Sequence, residues 1–278
     1  MPSFRALPPS LLRQATRSRG TASEPDARSI HVPVARAMVD CGVYCDGTRL
    51  PGKYTHAAAL NKVHEIEAEG RAAFVWIGLH EPDEYQMQAV AEVFGLHELA
   101  VEDAVHAHQR PKLERYDKTL FLVLKTVKYV EHESMVNARE IVETGEVMIF
   151  VGPDFVVTLP NQALPPVEYL FERCRADENL REKLFSRGSG YLMYRLVDDS
   201  FDYCFPMLRK IGNKLDALED EIFEGRSEDL VRDISNAKQE IINFRKVIRP
   251  QRPVLRDLEK VKSRYLASDL DLEIYFDD

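Results

Sequence analysis

From Gly188 to Ile222 the apolar residues Leu192, Leu196, Tyr203, Met207, Ile211, Leu215, Leu218 and Ile222 recur at spacings of three, four and seven. An α-helix returns side chains to one face at those intervals, and a strand does not. The spacing predicts one amphipathic helix of about 35 residues, roughly 50 Å at 1.5 Å per residue, with a kink at Pro206. Gly225 ends the run, and Ser227 with Glu228 and Asp229 caps a second helix. Leu230, Ile234, Ala237, Ile241, Phe244 and Ile248 form its stripe. Two such stripes cover one another as an antiparallel hairpin. Pro250 and Pro253 break the second helix, and a third begins near Asp257 or later.

The preceding sequence alternates strand and helix signals. Asp46-Gly47 between Val43–Cys45 and Thr48–Leu50 is a two-residue hairpin signal. Thr55–Glu69 reads as a helix with Leu60, Val63 and Ile66 on one face and Gly70 past its end. Ala72–Leu79, around Trp76, reads as a buried strand. A helix follows Pro82, with Met87, Val90, Ala91 and Phe94 inward and Gly95 to stop it. His97–His106 reads as a short helix, ended at Gln109-Arg110-Pro111. Thr119–Val130, Ala138–Val142, Gly145–Val151 and Phe155–Leu159 read as strands, and Pro165-Pro166 introduces a helix through about Asp177. The expected fold class is α+β: a mixed, largely antiparallel sheet flanked by helices, then a long-helix hairpin and the start of a stalk helix. The expected division is a disordered basic tail over 1–29, an α/β domain over 30–186 and a helical region over 187–278. The Arg-rich, acid-poor start also resembles a transit peptide, but its Ser, Thr, Ala and Pro content favours a tail.

Charge narrows the function. The formal net charge of −9 argues against nucleic acid as a partner. The longest stretch without Asp, Glu, Lys or Arg is the 13-residue run Phe155–Val167, interrupted by three prolines; a membrane-spanning helix needs about 20 apolar residues. Cys41, Cys45, Cys174 and Cys204 lack zinc-knuckle spacing and read as reduced thiols. No GxSxG, HExxH, GxGxxG or phosphate-loop pattern occurs, so no enzyme class is indicated. The chain reads as a non-enzyme.

The carboxylates carry more. Glu102 and Asp103 end a short helix. Asp198, Asp199 and Asp202 fall within one turn, and Asp198 and Asp202, four apart, share a face. Hard cations such as Mg²⁺ select oxygen ligands of this kind, although a solvated acidic face has the same spacing. His97, His106 and His108 are close in sequence, but His106 and His108 point apart on a helix, which favours exposed histidines over a zinc site. Arg245–Arg264 holds eight basic and two acidic residues and reads as a surface that pairs with the acidic helix before it. The last ten residues hold five acids and no base, interleaved with Leu270, Leu272, Ile274, Tyr275 and Phe276. That pattern reads as a helix cut in mid-course.

Six ordered segments share a single resemblance. Leu96-His97-Glu98-Leu99-Ala100-Val101-Glu102-Asp103, with Gln109-Arg110-Pro111-Lys112-Leu113-Glu114-Arg115-Tyr116 and Phe121-Leu122-Val123-Leu124, is similar to the cytoplasmic domain of CorA-type magnesium channels. So are Tyr191-Leu192-Met193-Tyr194-Arg195-Leu196-Val197-Asp198 and, further on, Phe244-Arg245-Lys246-Val247-Ile248-Arg249-Pro250-Gln251-Arg252 with Tyr275-Phe276-Asp277-Asp278. The resemblance spans about Val34 to Asp278. It implies a homopentamer in the cell inner membrane or plasma membrane, with this part on the cytoplasmic side and two membrane helices with a Gly-Met-Asn signature after the stalk. It also implies regulatory Mg²⁺, with Co²⁺ or Zn²⁺ as alternatives, bound between subunits. By motif, the metal-binding residues are Glu102 and Asp103 on the α/β domain, Asp198 on the first long helix and Asp278 on the stalk. Asp277, where the family often has a base, and Pro253 depart from the pattern.

The implied function is a Mg²⁺-sensing domain that gates Mg²⁺ and Co²⁺ uptake. Ions between protomers screen the acids and favour a closed pore; when the ions leave, the carboxylates repel and the subunits loosen. Three other readings share part of the pattern: the cytoplasmic domain of a related zinc transporter, a soluble metal-binding scaffold without transport activity, and a metal-dependent hydrolase using Asp198 and Asp202. The last lacks a base or nucleophile beside its acids.

Overall fold

A two-residue hairpin loop matches the twist of its strands when both central residues take positive φ. Asp46 (φ 49°) and Gly47 (φ 78°) do so, and β1 (Met38–Cys45) returns as β2 (Thr48–Arg49) with Cys45 opposite Thr48. This hairpin forms one edge of a seven-stranded sheet in the computed structural model. The structure describes residues 32–106, 109–129, 142–161, 170, 173, 176–202, 204–223 and 230–265, all within the compact unit Val32–Asp278.

Helix α1 (His56–Ala68) starts at Thr55, whose side chain accepts the Ala58 N–H, and it buries Ala59, Leu60, Val63 and Ile66. Strand β3 (Ala73–Leu79) is buried at all seven positions, the mark of a central strand covered on both faces. Its Trp76 indole donates to Thr158 Oγ1 at 3.3 Å, which satisfies the one polar atom of a fully buried ring. Helix α2 (Glu84–Phe94) opens with a reciprocal capping box between Asp83 and Gln86 and ends at Gly95 in the left-handed conformation. Helix α3 (Glu98–Val105) follows directly.

The remaining strands are β4 (Lys112–Tyr116), β5 (Thr119–Tyr129), β6 (Val142–Val151) and β7 (Phe155–Asn161). The order across the sheet is β2-β1-β3-β7-β6-β5-β4. β3 and β7 run parallel, with Val75 opposite Phe155, and every other neighbouring pair is antiparallel. The sheet is therefore mixed and largely antiparallel, as the strand signals predicted. β4 was not predicted. Its Lys-Leu-Glu-Arg-Tyr sequence lacks an apolar run because it is an edge strand, where charge is tolerated and protects against further pairing. The expected separate strand over Ala138–Val142 lies outside the described residues except for Val142, which opens β6.

Alternation along the strands divides the core in two. Val75, Ile77, Phe121 and Val123 pack with α1, α2 and α3 on one face. Phe74, Trp76, Leu120, Leu122 and Leu124 pack on the other, against α4 (Glu178–Phe185), α5 (Gly188–Asp202) and α8 (Arg252–Tyr265). Helices α6 (Cys204–Phe223) and α7 (Leu230–Ile248) pair with each other, and Met207, Ile211 and Phe244 meet Val127 of β5.

The expected long helix from Gly188 is present as α5 and α6, on either side of Tyr203, which lies outside the described residues. The third helix begins earlier than predicted. Pro253 sits in the first turn of α8, where its missing N–H costs nothing, so it starts this helix and does not delay it. In the basic stretch, Lys260 donates to Asp257 of its own helix at 2.7 Å. The helix expected after Pro165 lies largely outside the described residues. Among the described residues, no helix is long and apolar enough to cross a membrane.

Candidate metal centre

Helix α3 is anchored through Ala100 and Val101, which are buried in the first core. His97 caps its start by accepting the Leu99 N–H at 3.2 Å, and its ring stacks on Tyr116 at 4.3 Å. His106 ends it, donating its N–H to the Glu102 carbonyl. Both histidines are thus helix-end residues; His108 lies outside the described residues. Between these caps Glu102 is exposed and Asp103 is half-buried.

Asp103 is not bare. Lys112 Nζ lies 2.5 Å from Asp103 Oδ2 and 2.8 Å from Glu114 Oε2, which also accepts the Tyr116 hydroxyl at 3.0 Å. Lys112, Glu114 and Tyr116 alternate along β4 and so share one face of the sheet. Burial works against the Lys112 ammonium, but its hydrogen bonds to Asp103 and Glu114 outweigh this and hold its pKa above the ordinary value. This lysine was missed in the sequence, where only acids were sought; the alternation of Lys112 and Glu114 beside Asp103 was its signal.

Asp198 lies on α5. Its carboxylate and those of Asp199 and Asp202 each place an oxygen within 4.8 Å of the others. Arg195 spans two of them, donating to Asp198 Oδ2 at 2.6 Å and Asp199 Oδ1 at 2.8 Å. Asp199 is 9% exposed, and among the described residues its Oδ2 has no hydrogen-bond partner. Burial raises its pKa, Arg195 and Arg173 pull it down, and Asp198 and Asp202 push it up again. A buried carboxylate with two more acids gathered within 4.8 Å fits a hydrated hard cation. Among the described residues no His or Cys joins this set. Asp199 is the residue that sequence spacing undervalued, because its burial depends on how α5 seats on the sheet.

These two acidic places do not meet within the chain. α3 and α5 pack on opposite faces of the sheet, which puts Glu102 and Asp103 on one side and Asp198 on the other. Asp278 lies outside the described residues.

A family model described as CorA-like Mg²⁺ transporter protein matches residues 71–278. The cobalt/magnesium transport protein CorA of Thermotoga maritima is 32% identical over 186 residues, covering 66% of this chain and 50% of that protein. The chain therefore spans about half the length of this relative. The soluble domain of CorA from Methanocaldococcus jannaschii superposes with a TM-score of 0.62 at 17% identity, covering 85% of each chain. The ZntB cytoplasmic domain from Vibrio parahaemolyticus gives 0.51 at 15% identity, covering 69% of this chain and 73% of that one. Both structures share the fold; the family match over most of the sequence assigns the lineage. This chain belongs to the CorA-like Mg²⁺ transporter family.

Proposed function

We propose that this chain is the cytoplasmic, Mg²⁺-sensing part of a CorA-type channel for Mg²⁺ and Co²⁺, working as a homopentamer at the cell inner membrane or plasma membrane. In this reading residues 30–186 carry Glu102 and Asp103, and residues 187–278 carry Asp198 and lead toward the membrane with Asp278. The observation that carries the proposal is the placement of α3 and α5 on opposite faces of one sheet. Acids on opposite faces of one copy can share an ion only where the face of one protomer meets that of the next.

Electrostatics supplies the switch. Asp198, Asp199 and Asp202 gather three acids in one helical turn, opposed by the guanidinium groups of Arg195 and Arg173. Bringing a neighbour's Glu102 and Asp103 toward them costs free energy unless a cation stands between. An ion that binds the closed arrangement better than the open one stabilises it by that difference in affinity. The oxygen-only donor set favours Mg²⁺ over Zn²⁺, which prefers nitrogen and sulfur.

The test is the melting temperature and assembly state of the 278-residue chain in millimolar Mg²⁺ and in chelator. Mg²⁺ is expected to raise both in the native chain and to lose its effect in Asp103→Ala/Asp198→Ala. A native chain that is indifferent to Mg²⁺ would overturn the sensing role.

A further inference from the structure

A second group of metal-ligating side chains lies away from these acids. His64 and Glu67, one turn apart on α1, converge with Asp154 of the β6–β7 turn, each placing a ligand atom within 4.8 Å of the others. His64 Nε2 is 3.0 Å from Asp154 Oδ2, although the two are 90 positions apart in sequence. We infer that His64, Glu67 and Asp154 form a binding site for a borderline transition dication, Zn²⁺, Co²⁺ or Ni²⁺, independent of the oxygen-only acids.

The donor set selects the ion. Imidazole suits Zn²⁺, Co²⁺ and Ni²⁺, whereas Mg²⁺ asks for oxygen donors and keeps several of its waters. In a tetrahedral site with bonds of about 2.0–2.1 Å, neighbouring donor atoms stand roughly 3.3–3.4 Å apart. The His64–Asp154 separation needs to open only slightly to admit an ion, and Glu67 is within reach of the same point. A hydrogen bond between His64 and Asp154 explains their own distance, but it does not explain the second carboxylate. Glu67 beside Asp154 costs free energy that a shared cation removes.

The ligands also sit on well-held backbone, which a selective site requires. α1 is fixed to the sheet by Leu60, Val63 and Ile66. The turn carrying Asp154 is held from two directions. The Val75 N–H donates to the Asp154 carbonyl at 2.9 Å, and the Ser189 hydroxyl lies 2.7 Å from the Gly152 carbonyl and 3.1 Å from that of Pro153. A cavity of about 550 Å³ bordered by Glu67 and Asp154 leaves room for the waters that complete the coordination shell. An ion here ties α1 to the start of β7.

The experiment is thermal melting of the 278-residue chain with Zn²⁺, paired with the visible absorption of bound Co²⁺. At free metal a hundred times the dissociation constant, the native chain is expected to melt roughly 5–10 °C higher. Co²⁺ is expected to show the intense band of a low-coordinate imidazole–carboxylate site. His64→Ala, and Asp154→Asn as a variant of unchanged size, should abolish both signals, while Asp198→Asn keeps them. The inference is overturned if neither metal affects the native chain, or if native and His64→Ala chains respond alike, which would place the ion on other histidines. Retention in Asp198→Asn separates this site from the Mg²⁺ reading, so either can fail without the other.

Discussion

Lys112 Nζ lies 2.5 Å from the Asp103 carboxylate, so the acid that the family resemblance assigns to metal already holds a cation from its own chain. A dication arriving at Asp103 must share the carboxylate with Lys112 or displace it. If Asp103 binds Mg²⁺ as proposed, the lysine sets a threshold that the free ion has to exceed. Partly buried pairs of this kind are worth slightly more than exposed ones, which contribute up to about 1 kcal/mol. Lys112→Met is expected to tighten Mg²⁺ binding about two- to fivefold, measured by calorimetry on the same chain. Unchanged affinity would mean that Asp103 contributes no ligand.

Asp199 gives a prediction in pH. Burial raises its carboxyl above the ordinary value of 3.8 in spite of Arg195 and Arg173. A carboxyl raised in the folded state supports stability fully below its unfolded pKa, and that support is lost as pH rises through the folded value. Ionised Asp199 without a dication is thus a cost at neutral pH. Asp199→Asn removes the cost and also weakens Mg²⁺ binding by on the order of tenfold, since affinity follows the count of charged ligands. In chelator, the variant's advantage in melting temperature should grow as pH is raised from below 3.8 toward neutrality. A difference that stays flat across that range would contradict the assignment.

Part of this was legible in sequence and part was not, for physical reasons. The Asp46-Gly47 turn, the helix start after Pro82 and the Gly95 stop are local, and each is read from a few adjacent residues. The stripes of α6 and α7 are equally local. β4 escaped because an edge strand needs no apolar run. Among site residues, periodicity placed Asp198 and Asp202 on one face, and the family resemblance supplied Glu102, Asp103 and Asp278. Arg195 stands three and four positions before Asp198 and Asp199 on one helix, so its pairing was legible in spacing and went unread. The meeting of Lys112 with Asp103, and of His64 with Asp154, also depends on which sheet face each element covers, and spacing alone does not carry that information.

The helix hairpin contains a buried ion pair whose removal should be costly. Lys214 Nζ of α6 lies 2.9 Å from Glu240 Oε1 of α7, and the two side chains are 9% and 7% exposed. Lys214→Met leaves Glu240 charged and unpaired in the interior, which costs about 3–5 kcal/mol. Lys214→Met/Glu240→Leu should recover most of that loss, because two apolar side chains replace a pair whose desolvation nearly cancels its attraction. Denaturant unfolding of the two single variants and the double variant measures the coupling. Additive losses would show that the two charges do not interact.

The Asp83–Gln86 capping box offers a smaller, local effect. Asp83 Oδ1 accepts the Gln86 N–H at 2.7 Å, and Gln86 Oε1 accepts the Asp83 N–H at 3.0 Å. Asp83→Ala is expected to cost about 1 kcal/mol, seen as a fall of roughly 2–4 °C in melting temperature. Asp83→Ser, which also caps, should restore most of it.

The separation of α3 from α5 by the sheet makes a prediction about chain connectivity. With Glu102 on one side and Asp198 on the other, a short cross-linker cannot join the two within one copy, yet it should join them between copies if those faces meet. Glu102→Cys/Asp198→Cys tests this directly. The native thiols interfere little: burial pushes Cys41 up to about 12 and Cys204 up to about 11, and Cys45 is raised by burial and by its bond to Asp46. Thiols so raised are almost wholly protonated at neutral pH, and the thiolate is the reactive form. With Cys174 also replaced by Ser, a short bis-maleimide should yield ladders of linked chains in Mg²⁺. Each single-cysteine variant should give far less product, because a contact between unlike faces needs both positions. Rapid loop formation within monomers would mean that one chain can bring both acids together, and the ion would then need no neighbour.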